Sequence, residues 1–116
     1  MATEHYKRAF GPVEVERYDH EGKIGHLTLR INESDVMLSD EFPAHLDTVG
    51  TQSPKALGGT TTTISLSVDD VDRWFERATN AGMDTLRQPK DEFYGRNGKL
   101  RDPFGHVWSL TGPKKG

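Results

Sequence analysis

The side chains able to do chemistry are few, and their spacing narrows them further. The chain carries five histidines, His5, His20, His26, His45 and His106, and no cysteine, so thiolate nucleophiles, thiolate metal sites and disulfides are excluded. His26 is the best single candidate for acid–base work, because imidazole titrates near neutrality and this one alternates with Leu27 on the polar side of a strand. A histidine so placed also has a structural use, held by hydrogen bonds to the neighbouring strand. For a recruited divalent ion the candidates are His26, Asp40, Glu41 and His106, since imidazole and carboxylate suit such ions. No His-x-x-x-His or comparable spacing supports chelation, however. His106 follows Gly105 at a turn, and Asp40-Glu41 opens an exposed loop. Serine, threonine and glycine are plentiful, but neither a nucleophile elbow nor a phosphate loop occurs. His5, His20 and His45 fall in a helix end, a turn and a loop, and receive no role.

The chain that must position these groups has 116 residues, enough for one small domain, 1–116, and too few for two independent cores. Hydrophobic residues make up 33% and charged residues 28%, so the core is thin and pairing with a second copy would help it. The net charge of -3, with Lys and Arg scattered along the chain, leaves no electrostatic footprint for nucleic acid or an anionic membrane. No signal-like apolar run or membrane span is present, so the cytoplasm is the expected compartment.

Helical spacing over Thr3 to Phe10 ends at Gly11-Pro12. Val13 and Val15 alternate with Glu14 and Glu16, as a half-buried strand should, and Asp19 to Lys23 supplies a turn. In Ile24 to Ile31, Leu27, Leu29 and Ile31 lie on one face and His26, Thr28 and Arg30 on the other. Asn32 to Asp35 is a turn and Val36 to Ser39 a short strand. From Asp40 to Gly59 periodicity vanishes, and a loop of that length is more often functional or partner-facing than idle. Alternation returns over Thr60 to Val68. Asp69 then reads as an N-cap for a helix with Val71, Trp74, Phe75 and Ala78 on one stripe, ended by Gly82. Met83 to Arg87 is a strand. An aromatic loop at Phe93 and Tyr94, a turn over Gly95 to Gly98, a strand over Lys99 to Asp102, a Pro-Phe-Gly turn and a closing strand, His106 to Thr111, complete the chain. The fold class is α+β, with an internal βαβββ repeat whose first copy lacks its opening strand.

Three runs resemble one family. Tyr94-Gly95, then Leu100-Arg101-Asp102-Pro103-Phe104-Gly105-His106 and Trp108-Ser109, look like the closing signature of the PhnB-like branch of the glyoxalase, bleomycin-resistance and extradiol-dioxygenase (vicinal oxygen chelate) superfamily. Val36 to Pro43, and Ser53 to Thr60 leading into Val68 to Asp72, agree in order and spacing. The resemblance implies paired βαβββ modules, about 1–42 and 60–112, joined by an irregular loop. It also implies that a strand and about two turns of helix normally precede this point, so the gene product is either shortened or begins late.

In similar proteins each module curves its sheet over a helix and leaves a concave face for a cavity. That implies that Leu27, Leu29, Ile64 and Leu66 face helices, while His26, Thr28, Arg30, Thr61, Thr63 and Ser65 line the cavity with Ser109 and aromatic walls from Phe42, Phe93 and Tyr94. Metal-dependent members hold a divalent ion on the first and last strands of each module. Carried over, those positions fall on Leu38 (Met37 if shifted by one), Thr63 and Ser109, the first being absent with its strand. None supplies imidazole or carboxylate, so no metal or other cofactor is expected; a recruited divalent metal is the runner-up. The function expected first is a metal-free protein whose homodimer encloses a small-molecule ligand. A glyoxalase-type lyase or isomerase, or a dioxygenase-like enzyme, using His26 or a recruited metal comes second, and an inert assembly role third.

Overall fold

A computed structural model describes residues 2–38 and 53–115. Helix α1 (Ala2–Phe10) leads into β1 (Val13–His20), β2 (Lys23–Ile31) and β3 (Ser34–Leu38), which form one antiparallel sheet in the order β1-β2-β3. Both hairpins close through two residues with positive φ, Glu21-Gly22 and Asn32-Glu33, the backbone that matches strand twist in the tightest hairpins. A short helix α2 (Pro54–Leu57) precedes β4 (Thr63–Ser67), helix α3 (Val71–Asn80), β5 (Asp84–Glu92), β6 (Gly95–Arg101) and β7 (Val107–Gly112). These four strands form the second sheet, β4-β7-β6-β5, with β4 parallel to β7. The mixed α+β architecture with an internal repeat is therefore as expected from the sequence.

Several local expectations are corrected. The segment read as unstructured up to Gly59 contains α2, whose Ser53 side chain accepts from Ala56 N and whose Gly58 closes it at φ 82. Asp70, not Asp69, caps α3, accepting from Arg73 N at 3.2 Å; Asp69 instead accepts from the Trp74 indole at 3.2 Å. Gly95 to Gly98 is not a turn but the first half of β6, and the turn is Phe93-Tyr94. The glycine there answers to close packing: a Cβ on Gly98 would stand 2.9 Å from the Phe75 ring. Nor is β1 half-buried; all eight of its residues are exposed, and it is bulged between Glu14 and Glu16 and between Tyr18 and Asp19.

The core joins both sheets. Leu27, Leu29 and Ile31 of β2, Leu66, Leu100, Trp108 and Leu110 of the second sheet, Phe75 of α3, and Tyr6 and Phe10 of α1 form one buried cluster. The Phe10 ring lies 4.9 Å from Trp108 and 6.2 Å from Trp74, so α1 packs against the second module's strand and helix. Arg77 of α3 fastens that contact by donating to the carbonyls of Arg8 (2.9 Å) and Lys7 (3.2 Å) at the end of α1, the latter also accepting from Gly11 N. Asp102, buried in the β6–β7 turn, accepts from Tyr6 Oη at 2.5 Å, Trp108 Nε1 at 2.9 Å and the backbone of Phe104 and His106. The radius of gyration is 15.0 Å and the extents are 50 × 29 × 23 Å, longer than the roughly 13 Å radius expected of a compact domain of this size. No described helix is long and apolar enough to cross a membrane.

Candidate functional site

Each sheet turns one face to the shared core and the other away from it. On β2 the buried Leu27, Leu29 and Ile31 alternate with His26, Thr28 and Arg30, as the sequence implied. His26 is half-buried, its Nε2 3.0 Å from Thr28 Oγ1 and its ring 6.1 Å from Tyr18, the residue opposite it on β1. Thr28 is buried. Arg30 reaches Asp35 at 2.9 Å, and that contact holds the Asp35 carboxyl below its ordinary range, chiefly through the hydrogen bond. Arg30 is thus committed within its own hairpin.

On the second sheet, Ile64 and Leu66 face the core while Thr63 and Ser65 are exposed. Thr61 is exposed in the bend before β4 and is not part of the strand. Cross-strand partners place Ser65, Ser109 and Lys99 in one row over β4, β7 and β6. Ser109 is buried and accepts a hydrogen bond from Asn97 Nδ2 at 2.8 Å. Asn97 and Lys99 were assigned no role from the sequence; the signal present was their alternation with Gly98 and Leu100, hidden by reading the glycines as a turn. Phe93 and Tyr94, 92% and 53% exposed, stand at the β5–β6 tip with their rings 5.2 Å apart. No described contact brings them to His26 within one chain. Phe42, Asp40, Glu41 and His45 lie outside the described residues.

The strand register decides between the two positions considered for the first module's closing metal ligand. Leu38 pairs with Leu27 and packs against the core, whereas Met37 pairs with Thr28 and stands 69% exposed on the His26 face. The positions facing outward are therefore Met37, Thr63 and Ser109: a thioether and two hydroxyls, which do not fit a Zn, Ni, Fe or Mn ion. Among the described residues no group of three or more His, Asp or Glu side chains is placed to hold one.

A groove of ≈ 450 Å³ lies elsewhere, lined by Asp72, Phe75 and Glu76 of α3 and by Thr85, Pro89 and Arg96. It is on the helix side of the second sheet. Arg96 crosses it to Asp72 at 2.8 Å and to Asp91 at 3.2 Å, and the first of these bonds is the main reason the Asp72 carboxyl titrates below its ordinary range. Shallow and bridged by ion pairs, the groove offers less to a ligand than the polar faces do.

The arrangement agrees with known proteins. The profile of the Glyoxalase/Bleomycin resistance protein/Dioxygenase superfamily matches residues 1–110. Uncharacterized proteins of Mycobacterium bovis and Mycobacterium tuberculosis are each 44% identical over 114 residues, covering 97% of this chain and 74% and 66% of their own lengths. The chain thus spans about two thirds to three quarters of those relatives. Among solved structures, TioX from Micromonospora sp. ML1 is 29% identical with a TM-score of 0.71, covering 99% of this chain and 87% of its own. The fosfomycin resistance protein FosX from Mesorhizobium loti shares the fold at 20% identity and a TM-score of 0.64, with 98% and 81% covered. This chain belongs to the glyoxalase/bleomycin resistance protein/dioxygenase superfamily.

Proposed function

We propose that the chain is a metal-free small-molecule-binding protein of the bleomycin-resistance and PhnB-like type, acting as a homodimer. The ligand lies between the His26 face of one copy and the Ser109 face of another. The observation that carries this reading is that both polar faces point away from the one core the chain shares between its sheets. Two copies about a twofold axis bring unlike walls together. His26, Thr28 and Arg30 furnish one wall and Thr63, Ser65 and Ser109 the other, with Phe93 and Tyr94 as aromatic rims. Catalysis by His26 has less support, because its Nε2 is engaged by Thr28 in the same strand.

The donor chemistry of Met37, Thr63 and Ser109 supports the metal-free part. Elemental analysis of purified protein after mild dialysis is expected to give no stoichiometric transition metal. About one Zn, Ni, Fe or Mn per chain would overturn the reading in favour of a recruited metal.

A further inference from the structure

The outward face of the second sheet gathers polar side chains, among them Asn97, whose Oδ1 is buried without a partner among the described residues. Ser65, Ser109 and Lys99 share a row, with Arg87 of β5 opposite Lys99; in the next row Asn97 stands opposite Thr111. The buried Asn97 amide donates through Nδ2 to the Leu110 carbonyl at 3.1 Å, which fixes its orientation because a backbone carbonyl only accepts. The same nitrogen lies 2.8 Å from Ser109 Oγ and 3.0 Å from Thr111 Oγ1, so its two protons are shared among three acceptors. Having accepted there, each hydroxyl keeps its own proton free to donate elsewhere.

Lys99 is half-buried, yet its ammonium has neither an ion pair nor a hydrogen bond among the described residues, and Arg101 on the same face has none either. The acids nearby do not supply one: Glu92 is bonded to Arg87, and Asp84 lies opposite Arg101 at the sheet's margin. A half-buried lysine directly opposite Ser109 and one row from Thr111 has the electrostatics of an oxyanion site, where charge-assisted bonds are strongest. It also repels a divalent cation from the same row.

We propose that this patch recognises the oxyanion of a small-molecule ligand, a carboxylate or a phosphonate, with Lys99 as counter-ion and the Ser109 and Thr111 hydroxyls as donors. The proposal rests on the reading that this face lines the ligand cavity, and it names the chemistry of the ligand. The test is an NMR titration of the purified protein with benzoate, phenylphosphonate and neutral benzyl alcohol. The anions are expected to shift the Ser109, Thr111 and Lys99 resonances and to bind about tenfold or more tightly than benzyl alcohol. Lys99→Gln should remove that advantage without changing benzyl alcohol binding or the melting temperature, and Lys99→Arg should restore most of it. A response to one anion alone supports the proposal and identifies the oxyanion. Equal binding of anions and benzyl alcohol, or anion binding untouched by Lys99→Gln, overturns the proposal and leaves the cavity reading standing. If none of the three binds, both are overturned.

Discussion

Asp102 and His5 show how much of a site-like composition is spent on holding the chain together. A buried carboxylate beside a tyrosine, an indole and a histidine-bearing turn has the residue types of an active site. Yet the hydrogen-bond partners of the Asp102 carboxylate among the described residues are all donors that hold the β6–β7 turn and, through Tyr6, fasten α1 to it, and burial next to that carboxylate pushes the Tyr6 phenol far above its ordinary range. His5, given no role from the sequence, is buried with its ring 5.9 Å from Phe104 and its Nε2 without a partner among the described residues. Burial lowers its pKa from the ordinary 6.5, opposed by the Asp102 charge and assisted by Arg8. Above that ordinary value the ring is neutral in both states and costs nothing. As pH falls through 6.5 the unfolded chain takes up the proton first, so stability drops until the folded ring titrates too. Denaturant melts between pH 7 and 5 should therefore show falling stability, with a flatter profile in His5→Gln. Equal slopes in the two proteins would show that His5 is not the group responsible. Helical spacing revealed that Tyr6 and Phe10 share a side; that His5 is buried depends on Phe104, a contact 99 positions away that no local pattern carries.

At the scale of elements, alternation was the most legible signal and glycine the most misleading. The faces of β2 and β4 follow from their two-residue period, because a buried face tolerates no slip by one residue. The exposure of β1 was not legible, since Val13 and Val15 alternate correctly but the strand is an edge that the core does not reach. Gly95 and Gly98 looked like turn residues, yet Gly95 faces the Gly112 carbonyl and Gly98 the Phe75 ring, close approaches that only the folded sheet explains. The assignment of faces has a direct consequence. Leu66 is buried in the joint core, so Leu66→Ala is expected to cost about 2 to 5 kcal/mol, whereas His26→Ala on the outward face should cost less than about 1 kcal/mol. The opposite ranking in urea melts would mean that the sheets are inside out and that the polar faces are not walls of a cavity.

For the whole molecule, the unresolved demand is exposed apolar surface and unpaired backbone. Val13, Tyr18 and Met37 are 63%, 62% and 69% exposed on the first sheet, and Phe93 and Tyr94 crown the tip of the second. β3 pairs with β2 alone among the described residues, so its other edge presents N–H and C=O groups ready to join a strand or be covered. Single exposed apolar residues are ordinary, but several beside an open strand edge in an elongated chain are a template for association. A twofold dimer that sets the His26 face of one copy against the Ser109 face of its partner would cover them and enclose the oxyanion patch. Sedimentation at micromolar concentration is expected to give a species of twice the 13.0 kDa chain mass, with slowed hydrogen exchange in β3 and at the 91–94 hairpin tip. A species of 13.0 kDa alone, with both regions exchanging freely, would reject the dimer. It would also remove one wall of the cavity, leaving Lys99 and its hydroxyl neighbours on an open surface where water screens the anion they are proposed to hold.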